Sequence, residues 1–540
     1  MNENDYLLSV IEQIPRLIGL LNRNPLSVNY GCFDRDYWQY KIVDFPCCRK
    51  QEAVLTLTLL YNFDNPNNPY YNNESILELI NAGILFWCKI QEKNGSFNEW
   101  YPNESSFVGT AFSAYAVSET LILLKSKIRN KRYIMSKLKK SVDWLIKTKE
   151  NQAQNQVSGA LLAIYNYYLL TKNIEYQRFA KSKLDFLYTS QNKEGWFLEY
   201  GGFDVGYSSL LISYLGKYYL KSKDAKALEI LKKSIGFIKY FVYPDFSFGG
   251  SIGSRNTQYV LPDGFEITSE LIEDSNQVCY ILRNFSKNKM LSFEKLDDRY
   301  LCYNLYNYLQ SILYTTYKFK KVNINNFDKY FKEANIYIKN NTNFYVVMNL
   351  NKSTCHVLFK KSKKEFFDNG ISIVTNKNKK MYSSYLNDKT KLKINDQTIS
   401  IFGNFSKIPD RQMKTFNYLV LRVFQLTFGK VGFISRNTKS ILRKILITKK
   451  HKSYFNFVRS IEINKDEILF NDVVYPSNNI KYLIFGEPTA YIYVPSSNYF
   501  VDGEIEINKK LRIKNSHVNS KIVVKRVLDV QGNIKNQSFS

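Results

Sequence analysis

Histidine is almost missing from this sequence. Its 540 residues hold three, His356, His451 and His517, none beside another histidine or in an HExxH pattern, which excludes the common imidazole-based zinc sites. Cysteine is sparse as well. The seven, Cys32, Cys47, Cys48, Cys88, Cys279, Cys302 and Cys355, are an odd number without a CxxC pair or a pairing rhythm, so they read as buried thiols and exclude a disulfide framework. Neither a metal nor a cofactor is expected. No apolar run reaches the roughly 18 residues of a membrane span, and the opening "MNENDYLLSV" lacks the basic and apolar regions of a secretory leader. The expectation is a cytoplasmic chain without a transmembrane segment, with export by another route left open.

Acidic residues are also short, at 48 against 76 Lys and Arg, for a net charge of +28. Such a balance fits attraction to a polyanion, or only the Lys-, Asn-, Ile- and Tyr-rich usage of an AT-rich genome. With 44% hydrophobic and 16% aromatic residues, the chain can bury large cores. At roughly 100 to 200 residues per domain it should hold two or three.

The first 290 residues are organised as helical hairpins. "IQEKNGSFNEWYP" (90–102) lies over "SQNKEGWFLEYGG" (190–202), matching Gln91 with Gln191, Gly95 with Gly195, Phe97 with Phe197 and Glu99 with Glu199, at an offset of 100 residues. Each copy follows an amphipathic pattern and precedes a more apolar one. The apolar helices begin near Glu52, Val108, Val157 and Gly206, about 50 residues apart, a spacing that signals stacked hairpins. Lys-faced helices suit an outer ring and all-apolar ones an inner ring. The predicted architecture is therefore an incomplete α/α toroid over residues 1–290, with an open solenoid as the alternative.

Residues 291–334 read as terminal helices and linker. From 335 to 540, short runs such as "NFYVVMNLN", "STCHVLFKK" and "QTISIFGNF" alternate with Asn, Asp, Gly and Lys turns, the pattern of an antiparallel β-sandwich. The fold class is α+β multidomain. One basic and apolar segment, 411–452, interrupts the strands and reads as one or two helices. A helix packed across a sheet face with its lysines in water is favoured for it over a peripheral membrane contact.

Five polar and aromatic clusters precede the inner helices, at 30–52, 95–107, 151–156, 195–207 and 249–266, and the hairpin arrangement sets them on one rim. Trp38, Trp100, Trp196, Tyr200 and Tyr207 offer flat faces for pyranose rings, although each can equally be core packing. Asp34, Arg35, Arg49, Glu99, Glu199, Asp204, Arg255, Asn256 and the amides can bind hydroxyls and carboxylates.

The stretches "CFDRDYWQYKIVDFP", "GSFNEWYPNESSFVGTAF", "NQVSGALLAIYNYYLLT", "EGWFLEYGGFDVGY" and "GGSIGSRNT" resemble the heparinase II/III-like and alginate-lyase-like polysaccharide lyases. They look most like an outlying branch associated with bacterial and archaeal surface polysaccharides. The resemblance covers roughly residues 25 to 290, and beyond 335 it rests on architecture alone. It implies cleavage of an acidic, uronate-containing polysaccharide by β-elimination. In that reaction one group neutralises the uronate carboxylate, a base takes the C5 proton, and an acid protonates the leaving oxygen.

The family commonly sets an Asn-His pair at the start of an inner helix, where this sequence has Asn155 and Gln156. Glutamine takes no proton, so the resemblance leaves Tyr207, or Tyr200, as base and acid, with Asn155, Gln156 and Arg255 on the carboxylate. Two competitors stay open. An inverting glycoside hydrolase would use a carboxylate pair such as Glu99 and Asp204, about 6.5 to 9.5 Å apart. A non-catalytic glycan-binding or surface-polysaccharide assembly protein would keep the rim and tolerate the missing histidine. A terpene-cyclase-like toroid lacks its DxDD or DDxxD run here. Nucleic acid is not expected as a partner, since no recognised motif and no concentrated basic helix outside 411–452 occurs.

Overall fold

The computed structural model describes residues 4–244, 248–249, 252–257, 259–287, 293, 296–314, 325–383, 391–395, 398–407, 414–443, 452–475, 479–485, 509–512 and 521–539. Helices α1 (Asn4–Ile11), α2 (Ile14–Leu20) and α3 (Arg35–Trp38) lead into α4 (Ala53–Asn62) and α5 (Glu74–Lys89). The hairpins continue with α6 (Phe107–Leu124), α7 (Lys131–Lys147), α8 (Gln154–Thr171), α9 (Ile174–Ser190), α10 (Val205–Ser222), α11 (Ala225–Ile238), α12 (Asp263–Thr268), α13 (Glu273–Lys287) and α14 (Asp298–Leu313). The even-numbered members from α4 to α14 form an inner ring, each against the next, with α14 touching both α12 and α4. Thus α14, within the stretch set apart as 291–334, is a wall of the toroid.

Sequence explains the two layers. In the outer α7, Ile134, Leu138, Val142 and Leu145 recur on one face and are buried, while its lysines lie outside. The inner α6 is buried nearly all round, with Ala, Ser, Thr and Gly letting neighbours approach. A Cβ on Gly159 of α8 would sit 2.3 Å from the Phe112 ring. Over Phe107–Lys127 the chain is long and apolar enough to cross a membrane, yet 83% of its most apolar 18-residue window is buried inside the toroid. All seven cysteines are buried and unpaired.

The repeated turn is an architectural lock. Gly95 and Gly195 have φ of +94° and +101°. A Cβ there would lie 2.3 Å from the Lys140 carbonyl oxygen and 2.1 Å from that of Lys233, each on the following outer helix. Gln91 donates to the Lys137 carbonyl at 2.7 Å and to Ser141 Oγ at 2.7 Å. Gln191 repeats this on α11, to the Ile230 carbonyl and Ser234 Oγ, both at 3.0 Å. The matched Phe97 and Phe197 are core residues, 0% and 2% exposed.

The β region starts earlier than residue 335. Its first sheet runs in chain order through β1 (Phe327–Phe331), β2 (Ile336–Asn340), β3 (Phe344–Asn349), β4 (Thr354–Phe359) and β5 (Lys364–Asp368). The second, ten-stranded among the described residues, contains β6 (Ile371–Thr375), β7 (Lys380–Tyr382), β8 (Lys391–Ile394), β9 (Thr398–Lys407), β10 (Lys452–Ile463), β11 (Glu467–Tyr475), β12 (Ile480–Phe485), β13 (Lys509–Arg512), β14 (Ile522–Asp529) and β15 (Ile534–Phe539). Among the described residues its strands pair antiparallel, ordered β13-β12-β6-β7-β9-β10-β11-β14-β15, with β8 on β9.

Strand β3 shows how the domains join. Its run "FYVVMN" is apolar without alternation because both faces are covered. Phe344, Val346 and Met348 pack with Ile373, Ile401 and Phe457 of the second sheet, whereas Tyr345 and Val347 belong to the toroid's core. The first sheet is therefore the middle layer, and the turn after β3 meets the toroid rim. Between the sheets, Arg459 and Arg526 each bridge Asp368 and Asp472, all at most 3% exposed.

The interrupting segment forms α15 (Thr415–Leu426) and α16 (Gly432–Arg443), joined by a single 3-10 turn at Phe428–Lys430. The expectation of a helix laid across a sheet does not hold for α15. Asn103 Nδ2 donates to the Gln425 carbonyl at 2.9 Å and Arg422 pairs with Asp44, so its polar ties run to the toroid.

Candidate functional site

Residues near the N-terminal ends of α6, α8, α10 and α14 meet on one rim. The turn before α10 is zipped to the start of α8: Tyr200 N donates to the Gln152 carbonyl at 2.8 Å, and Ala153 and Glu199 form a β-bridge. Tyr200 has φ of +53° and precedes Gly201 at +102°. A left-handed tyrosine costs roughly 1–2 kcal/mol. It is held where Gln156 Nε2 donates to its hydroxyl at 3.0 Å. The Arg255 guanidinium lies 5.2 Å from the centroid of the same ring, and the Tyr207 ring is 6.5 Å away.

Two carboxylates beneath this group organise the rim. Glu199, fully buried, accepts from Asn155 N at 2.9 Å and Asn155 Nδ2 at 2.5 Å. Burial raises its pKa well above the ordinary carboxylate range, opposed by those hydrogen bonds and aided by the negative charge of Asp204. Asp204 caps α10 by accepting from Tyr207 N at 3.2 Å. It also takes Arg255 N at 3.0 Å and Thr257 N at 3.3 Å, tying the 253–257 loop to the helix start. Burial raises its pKa too, against the donors from Thr257, Tyr207 and Arg255.

The same loop is held from the β domain. Asn349 Nδ2 donates to the Ile252 carbonyl at 2.7 Å, and Lys352 Nζ donates to the Gly253 carbonyl and Asn256 Oδ1, each at 2.9 Å. Burial lowers the Lys352 pKa to about 7, opposed by Asp204. Nothing in the sequence near Lys352 pointed to this role, since its partners lie about a hundred positions earlier.

Toward α14 the rim continues through residues the sequence reading passed over. The Tyr259 ring packs tilted against Tyr300 at 6.0 Å, and Tyr300 tilted against Tyr303 at 5.2 Å. Arg49 lies 3.9 Å over the Tyr303 ring and pairs with buried Glu52 at 2.6 Å. Arg299 lies 3.7 Å over Trp100, which is 58% exposed, and pairs with Glu99 at 2.5 Å. The Arg-Tyr-x-x-Tyr spacing at the start of "DRYLCYNLYNYLQSIL" was the available signal, as it sets Tyr300 and Tyr303 on neighbouring positions of one helix face.

Several expected rim residues have local partners. Asp34 accepts from Cys47 N at 2.9 Å and Lys50 Nζ at 2.6 Å, pinning its own loop. Arg35 donates to Gln39 at 2.7 Å, and Trp38 Nε1 to the Leu20 carbonyl at 2.8 Å. Trp196, half-buried, donates to Glu194 at 3.2 Å. Asn256 receives Lys352. Both members of the carboxylate pair considered for hydrolysis are engaged, Glu99 by Arg299 and Ser106, Asp204 by three backbone donors.

No protein-family model matches the chain, and no curated protein matches its sequence. Solved structures match its fold. A Paenibacillus xanthan lyase superposes with a TM-score of 0.53 at 10% identity, over 89% of this chain and 46% of that one. The Streptomyces coelicolor A3 chondroitin AC lyase, solved with chondroitin sulphate, gives 0.56 at 7% identity, over 89% and 68%. The chain thus spans about half the length of the first and two thirds of the second. At these identities the likeness is one of fold, an α/α toroid followed by antiparallel β-sheets.

Proposed function

We propose that this protein cleaves an acidic, uronate-containing polysaccharide by β-elimination at the rim. The observation that carries the reading is the grouping of Gln156, Tyr200, Arg255 and Tyr207, with a 3.0 Å amide-to-hydroxyl bond and a guanidinium over the same ring. The two lyases of like fold support it, since their names record action on xanthan and chondroitin.

Arg255, Gln156 and Asn155 bind the uronate carboxylate and stabilise the charge that develops on it, an effect worth several kcal/mol when donors are preorganised. Tyr207, entering as phenolate, takes the C5 proton. The C4–O bond breaks as the C4=C5 double bond forms, and the new hydroxyl proton passes to the leaving oxygen. One tyrosine thus serves as base and then acid, without the histidine the chain lacks in its toroid. Trp100, 58% exposed, offers a flat face to the chain of sugars, with the buried Tyr259 and Tyr303 rings packed behind half-buried Tyr300.

Incubation with a panel of uronate polysaccharides tests the reading. The expected result is ultraviolet absorbance from an unsaturated uronate, with one new reducing end for each double bond formed. Saturated ends without absorbance would mean hydrolysis. A second reading, glycan binding without cleavage, draws on Asn155, whose amide already donates to Glu199. Retention on a glycan gel with neither product would select it.

A further inference from the structure

Helix α15 breaks the usual rule for amphipathic helices. Phe416, Leu419, Val420 and Val423 follow the i, i+3, i+4, i+7 spacing that ordinarily faces a core, yet they are 73%, 61%, 53% and 61% exposed. Phe428 in the connecting turn is 64% exposed, and Ile42, two residues from the Asp44 that pairs with Arg422, is 73% exposed. Helix α15 thus presents an uncovered apolar face, tied through Arg422 to the toroid segment that carries Ile42.

Charge identifies what would cover it. Residues 411–452 contain eleven Lys and Arg and no Asp or Glu. The exposed Lys414 and Lys430 flank α15 at its two ends. We infer that α15 and the turn after it are a docking surface for an anionic lipid bilayer, the aromatic and aliphatic side chains entering the interface while Lys414 and Lys430 meet the headgroups. A second copy of this chain fits poorly, because a two-fold contact through the face would set Lys414 and Lys430 against their own copies, and the nearby carboxylate of Asp44 is already paired with Arg422. The ties of Gln425 to Asn103, three residues from Trp100, and of Arg422 to Asp44 hold α15 beside the mouth. The bilayer would therefore lie next to the rim. The inference does not depend on the proposed reaction.

Vesicle flotation of the full chain tests it. Vesicles of phosphatidylcholine mixed with phosphatidylglycerol should carry the protein at least tenfold better than phosphatidylcholine alone, and high salt should weaken binding. Phe416→Ser/Leu419→Ser/Val423→Ser should reduce binding at least tenfold with an unchanged thermal melt, since these side chains are exposed. Lys414→Glu/Lys430→Glu probes the charge without altering the apolar face and should also weaken binding. The inference is overturned if wild type binds neither vesicle, if both vesicles bind equally, or if both variants bind like wild type. It is equally overturned if sedimentation shows a dimer that the serine variant dissolves, or if an acidic soluble protein binds the face and vesicles do not.

Discussion

Tyr207 and Gln156 carry different parts of the proposed chemistry, and their substitutions should separate. Tyr207→Phe removes the only hydroxyl assigned to proton transfer, and activity should fall by about a hundredfold or more with little change in KM. Gln156→Ala removes one hydrogen bond to Tyr200 and one carboxylate contact, so a loss of about tenfold in kcat/KM is expected from steady-state assays. Lys352 gives a prediction that needs no substrate. Its pKa of about 7 in the folded protein lies far below the value near 10.4 of an unfolded lysine. Between those values the unfolded state binds more protons, so this residue makes stability rise with pH across that window, and its cost is fully present below about 7. Lys352→Met should flatten that rise in denaturant titrations compared across pH. An unchanged pH slope would contradict the burial argument. In the sandwich, Arg459→Met leaves Asp368 and Asp472 with Arg526 alone and should cost about 3 kcal/mol or more in the same titration.

At the scale of elements, the hairpins were legible because a helix's periodicity and its turn are written in adjacent residues. The offset of 100 residues between the two Gly turns marked a real repeat, but its matched residues turned out to dock each turn on the next outer helix. Gly95→Ala or Gly195→Ala would force a positive φ on a residue with a Cβ and drive that atom into a carbonyl. Each should lower stability by at least about 1 kcal/mol, read as a drop in Tm. Other features were hidden for physical reasons. Strand β1 has an exposed middle, "DKY", without apolar alternation, so the β domain seemed to begin later. The partners of α14, Glu52 and Glu99, lie at least 200 positions earlier, and no local pattern encodes them. For 411–452 the helix period was readable, but which face would be covered depends on neighbours the period does not name.

At the scale of the whole molecule, the toroid supplies the mouth and the sandwich braces it. The first sheet packs between toroid and second sheet, and its Asn349 and Lys352 hold the loop that carries Arg255. The toroid's missing histidine leaves tyrosine as the proton carrier in the proposed reaction. That claim is tested most directly by mass spectrometry of fragments from a defined uronate oligosaccharide. Elimination predicts fragments whose masses sum to the parent, one of them unsaturated, and predicts that Tyr207→Phe yields none. Fragments that together exceed the parent by one water, or an undiminished yield from the variant, would contradict it.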